Sequence, residues 1–212
     1  MDGTVWNEYF EKIVCGAWER EDGYVLRSVA NALDRSFESR TIDNISRRFQ
    51  APTFYPVRGV SDPKGLSVMP TRKQTRTQRT DTPVVYYDVP VDQIKKEVYR
   101  DLVKKESEGV YRYVEFPDGY SPEFYEQLVS ERFVLNTKTN LQQWEKIRDR
   151  NEILDCFTYN YAMCYLAGLD TLLDDDWDSL AEEQRREASS DSRGLMQARQ
   201  QRRRRIVSKG IM

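Results

Sequence analysis

The chain has 212 residues, of which 39% are hydrophobic and 32% charged, as is typical of one soluble globular domain with solvated flanks. Its 33 Lys and Arg nearly balance its 35 Asp and Glu, so the net charge alone does not indicate a nucleic-acid partner. No stretch approaches the roughly 20 apolar residues that cross a bilayer, and the N-terminus lacks the basic start and apolar stretch of a signal peptide. We therefore expect a cytoplasmic protein with no membrane partner.

The chain contains no histidine, which excludes histidine general bases, Ser-His or Cys-His nucleophiles and histidine metal ligands. Any catalysis must then rest on carboxylates, on lysine, or on a metal ion held by oxygen atoms, and such ligands select magnesium or manganese. The three cysteines, Cys15, Cys156 and Cys164, have no zinc-type spacing. We expect them to be reduced thiols that pack as small apolar residues.

The N-terminal part of the chain predicts several short elements. Residues 5–20 have the periodicity of a short helix. Residues 24–33 are predicted to form a strand that ends at Asp34, and residues 41–49 fit a strand or a helix equally. Residues 54–60 are predicted to form a short strand that runs into a loop.

The middle of the chain gives the clearest strand signal, the β-branched and aromatic residues 84–87 between two prolines. Asp92 is predicted to open a helix whose buried face carries Ile94, Val98 and Leu102. Residues 110–116 are predicted to form a further strand. Ser121-Pro122 is predicted to begin a helix, because proline is favourable in a first turn, and residues 133–135 to form a short strand.

The strongest predicted helix spans residues 151–169, with Leu154, Phe157, Tyr161 and Cys164 on one stripe and Gly168 at its end. From Asp174 onward an acidic stretch, a polar stretch and a run of four arginines predict a charged tail with at most a transient helix. The order of helices and strands predicts an α/β domain built on a mixed sheet.

Glu152 and Asp155 lie three residues apart on the strongest helix, so their carboxylates project from one face. They lie beside the apolar stripe, where a carboxylate needs a cation, an arginine or a metal as its partner. The alternative is that both acids simply complement the positive end of the helix dipole. Spacing alone does not decide between a metal site and a stabilised helix end.

Asp34 and Asp92 each lie at or just beyond the end of a predicted strand, the edge of α/β sheets where functional sites gather. Asp92 could equally be the N-cap of the helix that follows. Asp88, at the end of the clearest strand, is a rival for any metal-binding role. Lys95 is either close to whatever binds at these strand ends or a solvated lysine on the helix surface.

Two basic segments could meet a phosphate backbone. One is residues 61–82, rich in Pro, Gly, Thr and Arg, which is predicted to be a mobile basic loop. The other is Arg202–Arg205 in the tail, which could equally bind an acidic protein surface. The 212 residues contain no Gly-rich loop ending in Gly-Lys-Ser/Thr, so they encode no ATPase.

Several segments, in order and with matching spacing, resemble the C-terminal half of the large subunit of lambda-type phage terminases. The resemblance extends over roughly Trp6 to Leu169 plus the terminus. It rests on Val57–Ser61, Val91-Asp92 with Lys95, Tyr99 and Leu102, Glu115–Pro117, Tyr125–Leu128, Ser130–Arg132, Trp144, Arg150–Cys156, Tyr159 and the closing Ser208–Gly210.

The resemblance implies an RNase H-like nuclease fold, a mixed sheet flanked by helices, in which three acids hold two Mg²⁺ or Mn²⁺ ions. Carried over by position, the metal ligands are Asp34, Asp92 and Asp155, with Asp88 open as the middle acid. Lys95 matches the family's lysine and could stabilise charge that develops on the phosphate. Glu152 could be a further ligand or could orient one.

The resemblance also implies an endonuclease that cleaves concatemeric viral DNA during genome packaging. It implies double-stranded DNA, the terminase small subunit and an ATPase portion as partners, and portal protein bound through the tail. The alternative is a non-catalytic docking or regulatory fragment that binds the portal or a separate ATPase subunit. In either case, residues 1–172 are expected to form the nuclease domain and residues 173–212 a charged, disordered tail.

One segment departs from the family pattern. The family usually has a small, glycine-rich turn and then a threonine after its first acid. Here Asp34 is followed by Arg35-Ser36-Phe37-Glu38, and Thr41 lies about one position late. A bulky, charged turn is thus expected next to the first metal ligand.

Overall fold

The computed structural model describes Glu8, Lys12 and residues 17–19, 25–28, 30–48, 54–62, 64–75, 83–104 and 114–182. These residues fall into two compact units. One is Ala30–Asp170, and the other comprises the terminal segments Met1–Val29 and Thr171–Met212. Most of the helix predicted for residues 5–20 and the tail beyond residue 182 lie outside the described residues.

The terminal unit contains a small antiparallel pair of strands, β1 (Ala17–Glu19) and β2 (Val25–Arg27). The end of the predicted N-terminal helix is therefore wrong, because residues 17–19 are extended. Residues 174–182, at the start of the predicted tail, are helical. No helix in the described part of the chain is long and apolar enough to cross a membrane.

The unit Ala30–Asp170 is built on a four-stranded mixed sheet in the order β3-β4-β6-β5. Strands β3 (Asn31–Asp34), β4 (Phe54–Val60) and β6 (Val85–Pro90) are parallel. Strand β5 (Thr71–Gln74) pairs antiparallel with β6 at the edge. Because parallel strands end at the same edge of a sheet, Asp34, Val60 and Pro90 bring three chain segments toward one edge.

Helix α1 (Ser39–Arg48) connects β3 to β4 and settles the ambiguity of residues 41–49 in favour of a helix. Its Ile42 and Ile45 are buried. Its Asp43 pairs with Arg35, whose guanidinium lies over the ring of Tyr86 on β6. Helix α1 therefore lies on the sheet face that carries Tyr86.

Helices α2 (Val91–Leu102) and α4 (Glu152–Leu166) share the main hydrophobic core with the opposite face of the sheet. The fully buried members of this core include Val57, Val89, Ile94 and Val98. Side chains alternate between the two faces of a strand, so Val57 and Tyr87 point into this core while Arg58 and Asp88 point away. The sheet is thus covered by helices on both faces, as an α/β domain requires.

A helix and a hairpin complete this unit. Helix α3 (Pro122–Leu128) begins as expected, with Ser121 as its N-cap and proline in the first turn. Strands β7 (Glu131–Asn136) and β8 (Leu141–Lys146) then form an antiparallel hairpin. Helix α4 ends near Gly168, whose φ of 71° is the left-handed conformation that favours glycine at a helix end.

Several expectations are corrected. The strand predicted from residue 24 to 33 is two strands, β2 and β3, separated by residues 28–30. The basic loop of residues 61–82 contains the strand β5. In the strand predicted at residues 110–116, the described residues 114–116 have no regular structure. Strand β8 was not predicted, because its exposed Gln, Glu and Lys residues obscure the alternation of a strand.

The stripe on α4 also differs from the expectation. Cys156 and Cys164 are exposed and form no disulfide, so neither packs as a small apolar core residue. The buried residues of the helix are Leu154, Thr158, Ala162, Met163 and Tyr165. Cys15 lies outside the described residues.

Leu154→Ala should reduce the free energy of unfolding by about 2–5 kcal/mol, because Leu154 is fully buried in the main core. The matched control is Leu135→Ala, at a leucine that is 54% exposed on β7, where a change within about 0.5 kcal/mol is expected. Urea unfolding followed by circular dichroism measures both. Equal losses at the two positions would contradict the packing of α4 against the sheet.

Candidate functional site

Asp34 ends β3 at the edge where the parallel strands finish. One of its carboxylate oxygens, Oδ1, accepts a hydrogen bond of 2.8 Å from the backbone N–H of Ser36. The other, Oδ2, accepts one of 3.0 Å from the hydroxyl of Tyr159 on α4. The Asp34 side chain is therefore fixed from two sides, by the turn that follows it and by the helix that packs over the sheet.

The bulky turn after Asp34 does not fill this site, because its largest side chains point elsewhere. Arg35 makes two hydrogen bonds to Asp43, at 3.0 and 2.9 Å, and stacks on Tyr86 on the opposite face of the sheet. Phe37 is 93% exposed. The departure from the family's small turn is thus accommodated without displacing Asp34.

Asp155 lies one turn into α4 and faces the same region. Its Oδ1 is 3.5 Å from the ammonium of Lys95, and its Oδ2 accepts a hydrogen bond of 3.0 Å from the side-chain amide of Asn151. Burial raises the pKa of Asp155, the negative charges of Glu131 and Asp34 raise it further, and Lys95 opposes them. Asp155 and Asp34 therefore repel each other across one site.

Lys95 is buried, with 9% of its side chain exposed, and its principal partner is Glu131, which is equally buried. The ammonium donates to both carboxylate oxygens of Glu131 at 2.9 Å. The amide of Asn151 donates to Glu131 at 3.2 Å as well as to Asp155. Lys95, Glu131, Asn151 and Asp155 thus form a closed ring of polar contacts, which we call the lysine ring.

Two neighbours hold the backbone around this ring. The hydroxyl of Tyr99 donates to the backbone carbonyl of Glu131 at 2.6 Å and accepts from its N–H at 3.3 Å. The indole N–H of Trp144 donates to the backbone carbonyl of Asp92 at 3.1 Å. The β7–β8 hairpin is therefore attached to α2 at two points, through Trp144 at the first turn and through Glu131 at Tyr99.

Tyr159 connects the sheet to α4. Its pKa is raised well above the ordinary range, first by burial and then by the negative charge of Asp34. The hydroxyl therefore stays protonated and donates a hydrogen bond to Asp34. A Cβ added at Gly59 would lie 3.1 Å from both the Tyr159 hydroxyl and a methyl of Val91. The glycine of β4 is thus what allows Tyr159 to approach the end of the sheet.

Asp92 is buried in the first turn of α2, with 6% of the residue exposed. Its carboxylate accepts a hydrogen bond of 2.7 Å from the hydroxyl of Ser61, which follows β4. The interpretation of Asp92 as an N-cap is wrong, because the N-cap residue is Pro90. Asp92 lies at the same edge of the sheet, but the contact described for its carboxylate is with Ser61 and not with the lysine ring.

Asp88 points to the other face of the sheet. In the parallel register Asp88 is opposite Arg58, whereas Asp34 is opposite Val57, one residue earlier. Arg58 donates to both carboxylate oxygens of Asp88, at 2.8 and 2.9 Å. Because successive residues of a strand face opposite sides, Asp88 and Asp34 are separated by the sheet.

Glu152 is not part of the lysine ring. Its side chain is 63% exposed, and its oxygen lies 3.5 Å from the guanidinium of Arg150. Glu152 and Asp155 are three residues apart, yet one side chain faces solvent and the other faces the sheet. The structure therefore brings together Asp34, Asp155 and Lys95 from the predicted set and leaves Glu152 at the surface.

The described residues contain no group of three or more Cys, Asp or Glu side chains close enough together to hold a metal ion. The charges nevertheless favour a cation. Asp34, Asp155 and Glu131 interact electrostatically, and Lys95 is the ammonium that faces them. When all are ionised, two negative charges are in excess, and all the available donors are oxygen atoms of the kind that Mg²⁺ and Mn²⁺ prefer.

The sequence by itself predicts no role for three contributors to the site, Glu131, Asn151 and Tyr159. Glu131 begins the hairpin and Asn151 follows it, and only the fold brings Glu131 to Lys95 and Asn151 to Glu131. Tyr159 could have been recognised by its spacing, because it lies four residues after Asp155 and hence on the same face of the helix.

Asp155→Asn should stabilise the metal-free protein at neutral pH, by less than about 1 kcal/mol because solvent screens this half-exposed group. The raised pKa means that the folded state favours the protonated form. The advantage of the variant should therefore shrink as the pH falls through that pKa and the wild-type carboxyl becomes neutral. Thermal unfolding with a chelator present, between pH 4 and 8, measures this; a variant less stable at pH 8 would contradict it.

Comparison with known protein families gives one match. The family model described as "Terminase large subunit gpA, endonuclease domain" matches residues 2–177, most of the chain. Searches of curated proteins and of solved structures found no match. The matched region includes Asp34, Lys95, Glu131 and Asp155, all the charged residues brought together at the site. The chain therefore belongs to the family of endonuclease domains of the terminase large subunit gpA.

Proposed function

We propose that this chain is a metal-dependent endonuclease domain that cleaves concatemeric viral DNA during genome packaging. The observation that supports the proposal best is that α4 faces the end of β3 with two acids: Tyr159 donates to Asp34, and Asp155, one turn earlier on the same helix, lies 3.5 Å from the ammonium of Lys95. The family assignment supports a nuclease role in packaging. Metal dependence and the DNA substrate are our inferences.

Asp34 and Asp155 are the residues that we propose to hold a divalent cation, Mg²⁺ or Mn²⁺. Asp92, buried at the same edge and bound to Ser61, is our choice for the third acid, and the full site would hold two ions. Asp88 is not chosen because Arg58 holds it on the other face. Bound divalent ions would lower the pKa of an attacking water and stabilise the leaving oxygen of the phosphodiester.

Other residues of the site would orient the two carboxylates and partly neutralise their negative charge. Tyr159 holds Asp34 through its hydroxyl, and Asn151 holds Asp155 through its amide. Lys95 supplies positive charge next to Asp155, and we propose that this charge also stabilises the phosphate as negative charge develops on it. Glu152, exposed at the start of α4, could orient a ligand only from the rim of the site.

The topology is compatible with an RNase H-like domain, which we retain as a proposal together with a domain boundary near residue 172. Such a fold contains a mixed sheet flanked by helices. Here the sheet has three parallel strands and one antiparallel edge strand, and helices cover both of its faces. The alternative docking function rests on the charged tail, residues 173–212, of which the structure describes residues 173–182. The terminase small subunit, an ATPase portion and portal protein are proposed partners on the strength of the family alone.

Purified protein should nick or linearise plasmid DNA when Mn²⁺ or Mg²⁺ is added. Asp155→Asn and Asp34→Asn should each reduce the rate by about a hundredfold or more, because a metal contributes several kcal/mol to stabilising the transition state. Asp92→Asn should cause a comparable loss if Asp92 is the third acid. Conversion of supercoiled plasmid on agarose gels measures each rate.

Asp88→Asn is the matched control, since it removes the same charge from the same strand edge but on the face of Arg58. It should retain activity close to that of the wild type. Metal-dependent cleavage that persists in Asp155→Asn would overturn the proposed site. Loss of cleavage in Asp88→Asn, with full activity in Asp92→Asn, would make Asp88 the third acid in place of Asp92.

Strand β5 is our candidate for contact with the DNA backbone. It is an edge strand whose four residues are all exposed, among them Arg72 and Lys73. Arg72 is in register with Tyr87, Val57 and Asp34, so it lies on the same face as Asp34, three strands away. At about 4.8 Å between strands the separation is about 14 Å, which is within the width of a DNA duplex.

Arg72→Ala should weaken DNA binding in a salt-dependent manner. One phosphate contact contributes a slope of about one in a plot of log affinity against log salt, so the slope should fall by about one. Fluorescence anisotropy with a labelled duplex and Ca²⁺ in place of Mg²⁺ measures it. Lys138→Ala, at an exposed lysine in the β7–β8 turn, is the control and should leave the slope unchanged; equal slopes in all proteins would exclude β5.

A further inference from the structure

In the lysine ring, the carboxylates of Glu131 and Asp155 both contact the ammonium of Lys95, but at different distances. Lys95 lies 2.9 Å from both oxygens of Glu131 but 3.5 Å from the nearer oxygen of Asp155. A lysine has three N–H donors, and the geometry assigns two of them to Glu131. Glu131 is thus the principal partner of Lys95, and Asp155 is the weaker one.

Glu131 is itself held in a way that fixes its position. The Tyr99 hydroxyl bridges its backbone N–H and carbonyl, and the Asn151 amide donates to its carboxylate. Its residue is 8% exposed. A buried carboxylate with these contacts can neither swing into solvent nor leave Lys95 unpaired without losing several hydrogen bonds.

Without Glu131, the ammonium of Lys95 would have Asp155 as its nearest remaining anionic partner. A charge-assisted hydrogen bond to Asp155 would then shorten from 3.5 Å toward the usual length of about 2.8 Å. A divalent cation would have to displace that ammonium before it could use the same oxygen. The pairing of Glu131 with Lys95 would therefore keep the Asp155 oxygen available to a cation.

We propose that Glu131 is a positioning residue that keeps Lys95 from forming a short hydrogen bond to Asp155, so that the Asp155 carboxylate stays open to a divalent cation. The inference rests on the proposed metal site at Asp34 and Asp155. It differs from a merely structural ion pair, which would affect stability and leave cation affinity unchanged. It also differs from an effect of net charge, which would not depend on the length of the Glu131 side chain.

The test is calorimetric titration of the full chain with MnCl₂, which needs no DNA and no catalysis. Glu131→Gln should weaken Mn²⁺ binding by about tenfold or more, the usual effect of removing a group that orients a metal ligand. Glu131→Asp keeps the charge but is one methylene shorter, so it cannot hold Lys95 at the same position. It should also weaken Mn²⁺ binding, by at least about threefold.

A second substitution identifies Lys95 as the competitor. In the double variant Lys95→Met/Glu131→Gln no ammonium can occupy Asp155, so the affinity for Mn²⁺ should return to within about threefold of the wild type, a non-additive result. The matched control is Glu145→Gln, which breaks the exposed Arg132–Glu145 pair of the same hairpin and should leave Mn²⁺ affinity unchanged.

Thermal unfolding is recorded for every variant to separate misfolding from altered binding. If Glu131→Gln does not fold, Glu131→Asp provides the test, since it keeps the negative charge that the buried Lys95 needs. It should weaken Mn²⁺ binding by about threefold.

Three results would overturn the inference, and they are distinguishable. Wild-type protein that does not bind Mn²⁺ would refute the proposed metal site together with the role of Glu131. Normal Mn²⁺ affinity in folded Glu131→Asp, with a functional wild-type site, would refute only the role of Glu131. A double variant that binds as weakly as Glu131→Gln would show that Lys95 does not compete for Asp155.

Discussion

The burial of Lys95 against two carboxylates is the constraint on which the arrangement of the site depends. An ammonium that is nine-tenths buried must be paired and hydrogen-bonded, because an isolated charge in a low-dielectric interior is strongly unfavourable. Glu131 meets most of that requirement and Asp155 the remainder. Lys95 belongs to α2, Glu131 to β7 and Asp155 to α4, so one charge connects three elements that are distant in sequence.

This constraint also explains why α4 is placed accurately over the sheet. Its apolar residues Leu154 and Ala162 pack in the core, but hydrophobic contacts alone tolerate small rotations of a helix. Asp155 and Tyr159, one turn apart, are tied to Lys95 and Asp34 respectively. Together they fix the helix orientation, and the close approach of Tyr159 at Gly59 fixes the distance between helix and sheet.

The site is at the same time electrostatically unfavourable as it stands. Asp34, Glu131 and Asp155 carry negative charge that the ammonium of Lys95 does not neutralise. Burial raises the pKa of Asp155, and the charges of Glu131 and Asp34 raise it further. Functional sites commonly hold such unrelieved charge because a ligand of opposite sign relieves it. This excess of negative charge is the reason for our proposal that the site binds a divalent cation.

The sequence by itself determined the class of the fold and the main strands and helices, and it restricted the chemistry that the chain could perform. Strong local signals were enough for β4, β6, α2, α3 and α4, and the absence of histidine restricted the candidate chemistry to carboxylates, lysine and oxygen-bound metal ions. The family assignment was also within reach, because ordered motifs such as those around Glu131 and Asp155 survive as a linear pattern. Strand β8 and the division between β2 and β3 were not, because their short, polar sequences carry little periodicity.

Only the tertiary structure decided which acids face one another. Asp34 ends β3 and Asp88 lies two residues before the end of the parallel strand β6, but a shift of one residue in register puts them on opposite faces of the sheet. Glu152 and Asp155 share a helix turn, yet packing turns one toward solvent and the other toward Lys95. Glu131 gained its role from a hairpin that folds back on α2, a long-range contact that local sequence does not encode. The physical reason is that side-chain chemistry is local, whereas the meeting of charges depends on how buried surfaces of distant elements pack.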